Sequence, residues 1–251
     1  MIGAGKGTAM YRSAPALAVL IAAALCAAGC SSTTESQPSE ADVGNPDAFS
    51  AVAVTDEQVE SAISALDGMV EEVMNDTGIP GLAVAVVNKG EPVYVKGFGV
   101  ADVDTQVPVD ADTAFQIASV SKSVSTSVVA SVVGDGEVSW DEPVVTHLPE
   151  FALADEWVTA NTTIGDLFSM RSGIPHQAGD DLEELGYDRM QIIEKFRYLP
   201  LAPFRNQNLY TNFGLTAGAE AVARSQGVTW EELSAQRIYE PLGMTRTTSV
   251  F

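Results

Sequence analysis

The sequence predicts an α/β (α+β) domain, in which an antiparallel sheet is flanked by helices and joined to an all-helical region. Three patterns carry this reading: an amphipathic helical stretch that starts near Thr55, a hairpin after it, and a succession of helix start and stop signals from Ser119 onward. A chain of 251 residues can bury one substantial core, or two small ones.

Thr55 followed by Gln58 is a capping-box pattern, and Val59, Ile63, Leu66, Val70 and Val73 then recur at three- and four-residue spacing until Gly78 and Pro80. Next, "GLAVAVVNKGEPVYVKGFGVAD" reads as two strands joined at "NKGEP", by its Asn, Gly and Pro turn chemistry. A helix begins near Ser119 and stops at "GDG", Gly134 to Gly136. Its valines and serines have middling helix propensity, so this helix is expected to be buried inside the domain. In "TTIGDLFSMRSGIP", Thr163 can cap, Asp166 lies in the first turn, Leu167 and Phe168 face inward, and Gly173 ends the helix before Pro175. "TNFGLTAGAEAVARSQG" and "TWEELSAQRIYEPLGM" are two further helices, the second ending at Pro241 and Gly243.

Ahead of this domain, residues 1–29 have the layout of an export signal. Lys6 and Arg12 precede "SAPALAVLIAAALCAAGC", an apolar run too short for a comfortable membrane span, and Met10 offers an alternative start. "AAGC" followed by "SS" resembles a lipoprotein processing site, which implies lipidation at Cys30; ordinary cleavage is the alternative. Residues 30–50 have the Ser, Pro and acid content of a linker. The expected location is therefore the cell envelope, with a lipid anchor as the link to the membrane. Both cysteines, Cys26 and Cys30, lie in or beside the leader, so residues 51–251 hold no pair for a disulfide or thiolate metal site. With two distant histidines besides, neither metal nor other cofactor is expected.

The formal charge of −21, from 13 basic and 34 acidic side chains, argues against nucleic acid phosphates and anionic headgroups as partners. It favours a small uncharged or cationic one.

Two motifs carry chemistry. In "FQIASVSKSV", Ser119 stands three residues before Lys122, one helical turn, so that the lysine amine can point at the hydroxyl. Backbone N–H groups at a helix start also favour negative charge developing on that serine. This spacing alone arises by chance. In "NLYTNFG", Tyr210 and Asn212 occupy alternate positions of a short turn and can project to one side. A phenol beside an ammonium has its ionisation eased and can serve the serine as general base, while an asparagine can accept from Lys122 and donate to a substrate carbonyl. The plain alternative is a structural tyrosine with an asparagine-stabilised turn.

"FQIASVSK", "GDGEVSWDEPV", "TIGDLFSMRSGI", "LYTNFG" and "IYEPLGMTRT", in this order from about Asp56 to Phe251, resemble the serine β-lactamase and penicillin-binding-protein group. The tyrosine motif places the resemblance in the class C, D,D-peptidase and esterase branch. The resemblance implies a β-lactamase/transpeptidase-like fold, acylation of Ser119, Lys122 and Tyr210 as its catalytic partners, and Asn212 in substrate binding. It implies a small-molecule or peptidoglycan-like substrate cleaved at an amide, lactam or ester bond. β-Lactamase, D,D-carboxypeptidase, D-amino-acid peptidase and carboxylesterase remain open, with a broad esterase or peptidase reading favoured.

The family's third motif, Lys-Thr-Gly or His-x-Gly on a later strand, is not found. His147 in "VVTHLPEF" and His176 in "GIPHQAGD" both precede Tyr210 and lack it, which leaves them as surface or loop residues. The expectation is that residues 51–251 are the N-terminal part of the hydrolase domain, a fragment whose C-terminal strands are missing. Its hairpin would keep an open edge and an uncovered apolar face, and the chain alone would fold poorly or be inactive. The competing class is a truncated, non-catalytic cell-envelope binding protein.

Overall fold

The computed structural model describes residues 53–250. The leader, Cys30 and the whole linker, residues 30–50, lie outside the described residues. By internal contacts the chain divides between Ala62 and Ile63. The N-terminal side contributes Ala53 to Ala62, which hold the first turns of α1 (Asp56–Thr77). The expected capping box is there: the Gln58 N–H donates to Thr55 Oγ1 at 3.2 Å, and the Thr55 N–H to Gln58 Oε1 at 2.9 Å.

Beyond Ile63, α1 buries Val70 and half-buries Leu66 and Met74, whereas Val73 is 46% exposed. The apolar stripe thus steps from Val70 to Met74, not to Val73, because Met74 reaches the end of the hairpin beside Gly99. The hairpin pairs β1 (Gly81–Asn88) with β2 (Glu91–Gly99), antiparallel. Its turn is Lys89 and Gly90, both at positive φ (54° and 82°), the geometry that matches strand twist in a two-residue hairpin loop. Register runs from Gly81 opposite Gly99 to Val86 opposite Tyr94, then shifts so that Val87 faces Pro92. The irregularity falls where Pro92 has no N–H to give the ladder.

Asp67 of α1 accepts from Tyr94 Oη at 2.5 Å and Lys96 Nζ at 2.6 Å, which fastens helix to hairpin. On the opposite face Val87 and Val95 stay 65% and 53% exposed. This face of the hairpin is apolar and uncovered.

A 3₁₀ turn, Ala118–Val120, leads into α2 (Ser121–Gly134). Its hydroxyls bond back to carbonyls one turn earlier, Ser125 to Ser121 at 2.8 Å and Thr126 to Lys122 at 2.7 Å, so a serine-rich helix leaves these groups satisfied. Only its C-terminal half is buried, through Val128, Val129 and Val132. The central buried helix is instead α7, introduced below.

The remaining helices are short: α3 (Glu156–Asn161), α4 (Ile164–Phe168), α5 (Asp180–Glu184), α6 (Arg189–Glu194), α7 (Asn212–Ser225) and α8 (Trp230–Ser234). Two differ from the spacing-based expectation. α4 ends at Phe168, five residues before Gly173, because the Arg171 N–H turns back to the Asp166 carbonyl at 2.8 Å and Met170 takes positive φ. α8 passes at Ala235 into a π-helical turn that runs to Tyr239.

The core lies among these helices. Phe151, Ile164, Leu167, Ile192, Phe196 and Leu233 are almost fully buried around α7, whose small residues Ala217, Gly218 and Ala221 admit close neighbours. Complete burial of one such side chain contributes about 1.5–3 kcal/mol.

Candidate active site

Two chain segments meet at Ser119. The residue before it, Ala118, has φ of +43°, a conformation that costs an alanine about 1–2 kcal/mol and sets Ser119 at the exposed mouth of α2. Lys122, half-buried one turn later, points back: its Nζ donates to Ser119 Oγ at 3.2 Å. Thus the three-residue spacing does what helical geometry suggests.

Tyr210 and Asn212 arrive by a different route. After α4, residues 170–177 run beside residues 202–210. The Ala202 N–H donates to the Gly173 carbonyl, that of Arg205 to Arg171, that of Leu209 to Met170, and that of Gln177 to Tyr210, all at 2.8–2.9 Å. This ladder fixes the approach of Tyr210. Buried Thr211 then caps α7, accepting from the Gly214 N–H at 3.2 Å, and so places Asn212 in the first turn.

In the assembled cluster, Ser119 Oγ and Tyr210 Oη share a hydrogen bond of 2.5 Å. Lys122 Nζ donates to Asn212 Oδ1 at 2.6 Å and sits 4.7 Å from the Tyr210 ring centroid. The Lys122 ammonium first, and the Ser119 hydroxyl second, hold the Tyr210 phenol below its ordinary range. The arrangement can therefore take a proton from Ser119 Oγ onto a neighbouring oxygen and balance the charge with an ammonium.

Ser119, Lys122, Tyr210 and Asn212 are all brought together by these hydrogen bonds. Sequence reasoning missed Asp180. Its carboxylate accepts from Asn212 Nδ2 at 3.2 and 3.1 Å. The histidines stand outside the hydrogen-bonded cluster: His147 Nε2 is 2.8 Å from Glu142 Oε1, and His176 is exposed with its ring centroid 6.1 Å from that of Tyr210.

A cleft of about 460 Å³ opens beside Ser119 between α2 and α7, lined among others by Lys122, Asn212, Phe213, Glu220 and Trp230. Glu220 is buried and its carboxyl is pushed up by burial, with Arg189 Nε 2.8 Å away. Among the described residues no group of three or more His, Cys, Asp or Glu is placed to hold a metal ion.

A hairpin against a helix, a helical core, and serine, lysine and tyrosine meeting at the start of α2 define a domain of the serine β-lactamase and penicillin-binding-protein kind. The beta-lactamase family model matches residues 66–249, and the chain belongs to that family. It is 30% identical over 178 residues to the unguisins hydrolase ungD of Aspergillus violaceofuscus, covering 67% of this chain and 31% of that protein. Among solved structures it superposes on the octameric penicillin-binding protein homologue from Pyrococcus abyssi with a TM-score of 0.63 at 25% identity, covering 72% of this chain and 43% of that one. A class C beta lactamase gives a TM-score of 0.63 at 23% identity, over 77% and 52%. The chain spans 31%, 35% and 43% of three curated relatives it matches.

Proposed function

We propose that this domain serves an exported serine hydrolase that works through an acyl-enzyme, with Ser119 as nucleophile. The observation that carries the reading is the 2.5 Å contact of Ser119 Oγ with a tyrosine whose ionisation is eased by Lys122. In the acylation step Ser119 Oγ bonds to the substrate carbonyl carbon while its proton passes to the Tyr210 oxygen. The carbonyl collapses and the bond to the leaving group breaks. The leaving nitrogen or oxygen takes the proton from Tyr210, and water then repeats the sequence to free the acid. Lys122 Nζ, held between Asn212 Oδ1 and Ser119 Oγ, places positive charge beside the Tyr210 oxygen.

The substrate class is an amide, lactam or ester carbonyl. Support for breadth beyond β-lactams comes from a relative named as a hydrolase of unguisins. The export leader and a lipid anchor on Cys30 belong to the same proposal and are supported by the leader sequence alone; the mass of the mature N-terminal peptide tests them.

The catalytic reading is tested by treating the protein with a fluorophosphonate probe and locating the adduct by mass spectrometry. One adduct on Ser119, absent from Ser119→Ala, is the expected result. Labelling that persists in Ser119→Ala overturns the assignment, and no labelling of either form favours the non-catalytic binding protein.

A further inference from the structure

Asn212 is gripped from two sides by groups of opposite hydrogen-bonding character. Lys122 Nζ has only hydrogens to give, and it gives one to Oδ1 at 2.6 Å; Asp180 has only lone pairs, and both its oxygens accept from Nδ2, at 3.2 and 3.1 Å. A flipped amide would set its N–H groups against the ammonium and its oxygen against the carboxylate. The two neighbours together therefore determine which end faces the lysine.

The backbone around Asp180 is built to hold it there. Gly179, just before it, has φ of +98°, and a Cβ at that position would lie 2.4 Å from Ile192 Cγ2 and 3.0 Å from the ring of Phe213, the residue after Asn212. Two positions earlier, the Gln177 N–H donates to the Tyr210 carbonyl at 2.8 Å. The loop that carries Asp180 is thus tied to the backbone of Tyr210 and packed against the first turn of α7. Nor is Asp180 engaged in capping its own helix, since α5 has no side-chain cap.

We infer that Asp180 is a positioning residue for acyl transfer, acting through Asn212, whose amide it orients so that Oδ1 anchors Lys122 against Ser119 Oγ. The inference rests on the proposed reading of Ser119 as nucleophile. Without Asp180 the amide can rotate, Lys122 loses a fixed acceptor, and its ammonium is no longer held at Ser119 and Tyr210.

The experiment compares Asp180→Ala, Asp180→Asn, Asn212→Ala and the double variant Asp180→Ala/Asn212→Ala, with exposed Asp181→Ala as control. The first readout is the Asn212 side-chain amide in a ¹H–¹⁵N spectrum, assigned by its absence from Asn212→Ala. Slow hydrogen exchange in the parent, lost in Asp180→Ala and kept in Asp180→Asn, whose amide oxygen still accepts, is expected. The second is the rate of fluorophosphonate labelling at Ser119. Asp180→Ala should slow it about 10- to 100-fold, the worth of one hydrogen bond to a charged group, while Asp180→Asn recovers to within about threefold. In the Asn212→Ala background the Asp180 substitution should add nothing, because it acts through the missing side chain.

An Asn212 amide unmoved by Asp180→Ala, or an equal slowing with and without Asn212, overturns the inference while the nucleophile stands. A parent protein that does not label at Ser119 overturns the hydrolase reading, and the inference with it.

Discussion

At the scale of single residues the site is a problem in charge placement. Tyr210 is faced by the Lys122 ammonium from α2 and by the Asp180 carboxylate from α5; the lysine prevails, and the phenol ionises more readily than an ordinary tyrosine near pH 10. Labelling of Ser119 should therefore rise with pH along a limb whose midpoint lies below that value. Tyr210→Phe should abolish the limb and cost about 10²- to 10⁴-fold in rate, the usual contribution of a positioned base. Lys122→Met should move tyrosinate formation back up toward pH 10, read by ultraviolet difference titration with Tyr210→Phe as blank. An unmoved midpoint would sink Lys122 as the cause. Ser119 with Lys122, and Tyr210 with Asn212, are each legible as a local pair through one helical turn and one alternation, but only the family resemblance joins the two motifs, whose Ser119–Tyr210 bond spans 91 residues. Asp180 is not legible, because "GDDLEE" reads as acids favoured at a helix start, and its bond to Asn212 spans 32 residues.

At the scale of elements, local signals read well and long-range ones do not. Thr163 caps α4 as expected, and Asp166 in the first turn completes a capping box: the Asp166 N–H donates to Thr163 Oγ1 at 3.1 Å, and the Thr163 N–H to Asp166 Oδ2 at 3.0 Å. Nothing nearby in sequence announces Arg205, which meets the same carboxylate from 39 residues away through Nε at 2.8 Å and Nη2 at 2.7 Å. Burial opposes the charge on Asp166, but Arg205 and the Thr163 donors outweigh it and hold the carboxyl below the usual range. A depressed folded-state value means a contribution fully present above the unfolded value of about 3.9 and lost as pH falls through the folded one. Asp166→Asn should therefore cost about 1–3 kcal/mol at pH 7, and the gap from the parent should shrink on acidification. Urea unfolding at pH 7 and again below the unfolded value of about 3.9 measures it; a gap that widens in acid contradicts the pairing. The same limit explains α2. Composition placed a weak helix former in the interior, yet burial is decided by neighbours, and these cover only Val128, Val129 and Val132.

At the scale of the molecule, apolar residues are divided between a closed core and an open sheet face, and periodicity alone cannot say which is which. Val222 of α7 and Val95 of β2 look alike in sequence, each within an apolar stretch, but one is fully buried and the other 53% exposed. The hairpin is legible through the Asn, Gly and Pro signals of its turn. That one side of it stays exposed is implied by the family resemblance and not by the local pattern. The same substitution at both positions separates the two environments. Val222→Ala removes buried methyl groups from a packed interior and should lower stability by about 1–3 kcal/mol. Val95→Ala deletes the same atoms where water already reaches them and should stay within about 0.5 kcal/mol of the parent. Denaturant midpoints measured at two protein concentrations decide the matter. If Val95→Ala proves as costly as Val222→Ala, the sheet face is covered in solution, and a cost that grows with protein concentration would identify the cover as a second copy of the chain.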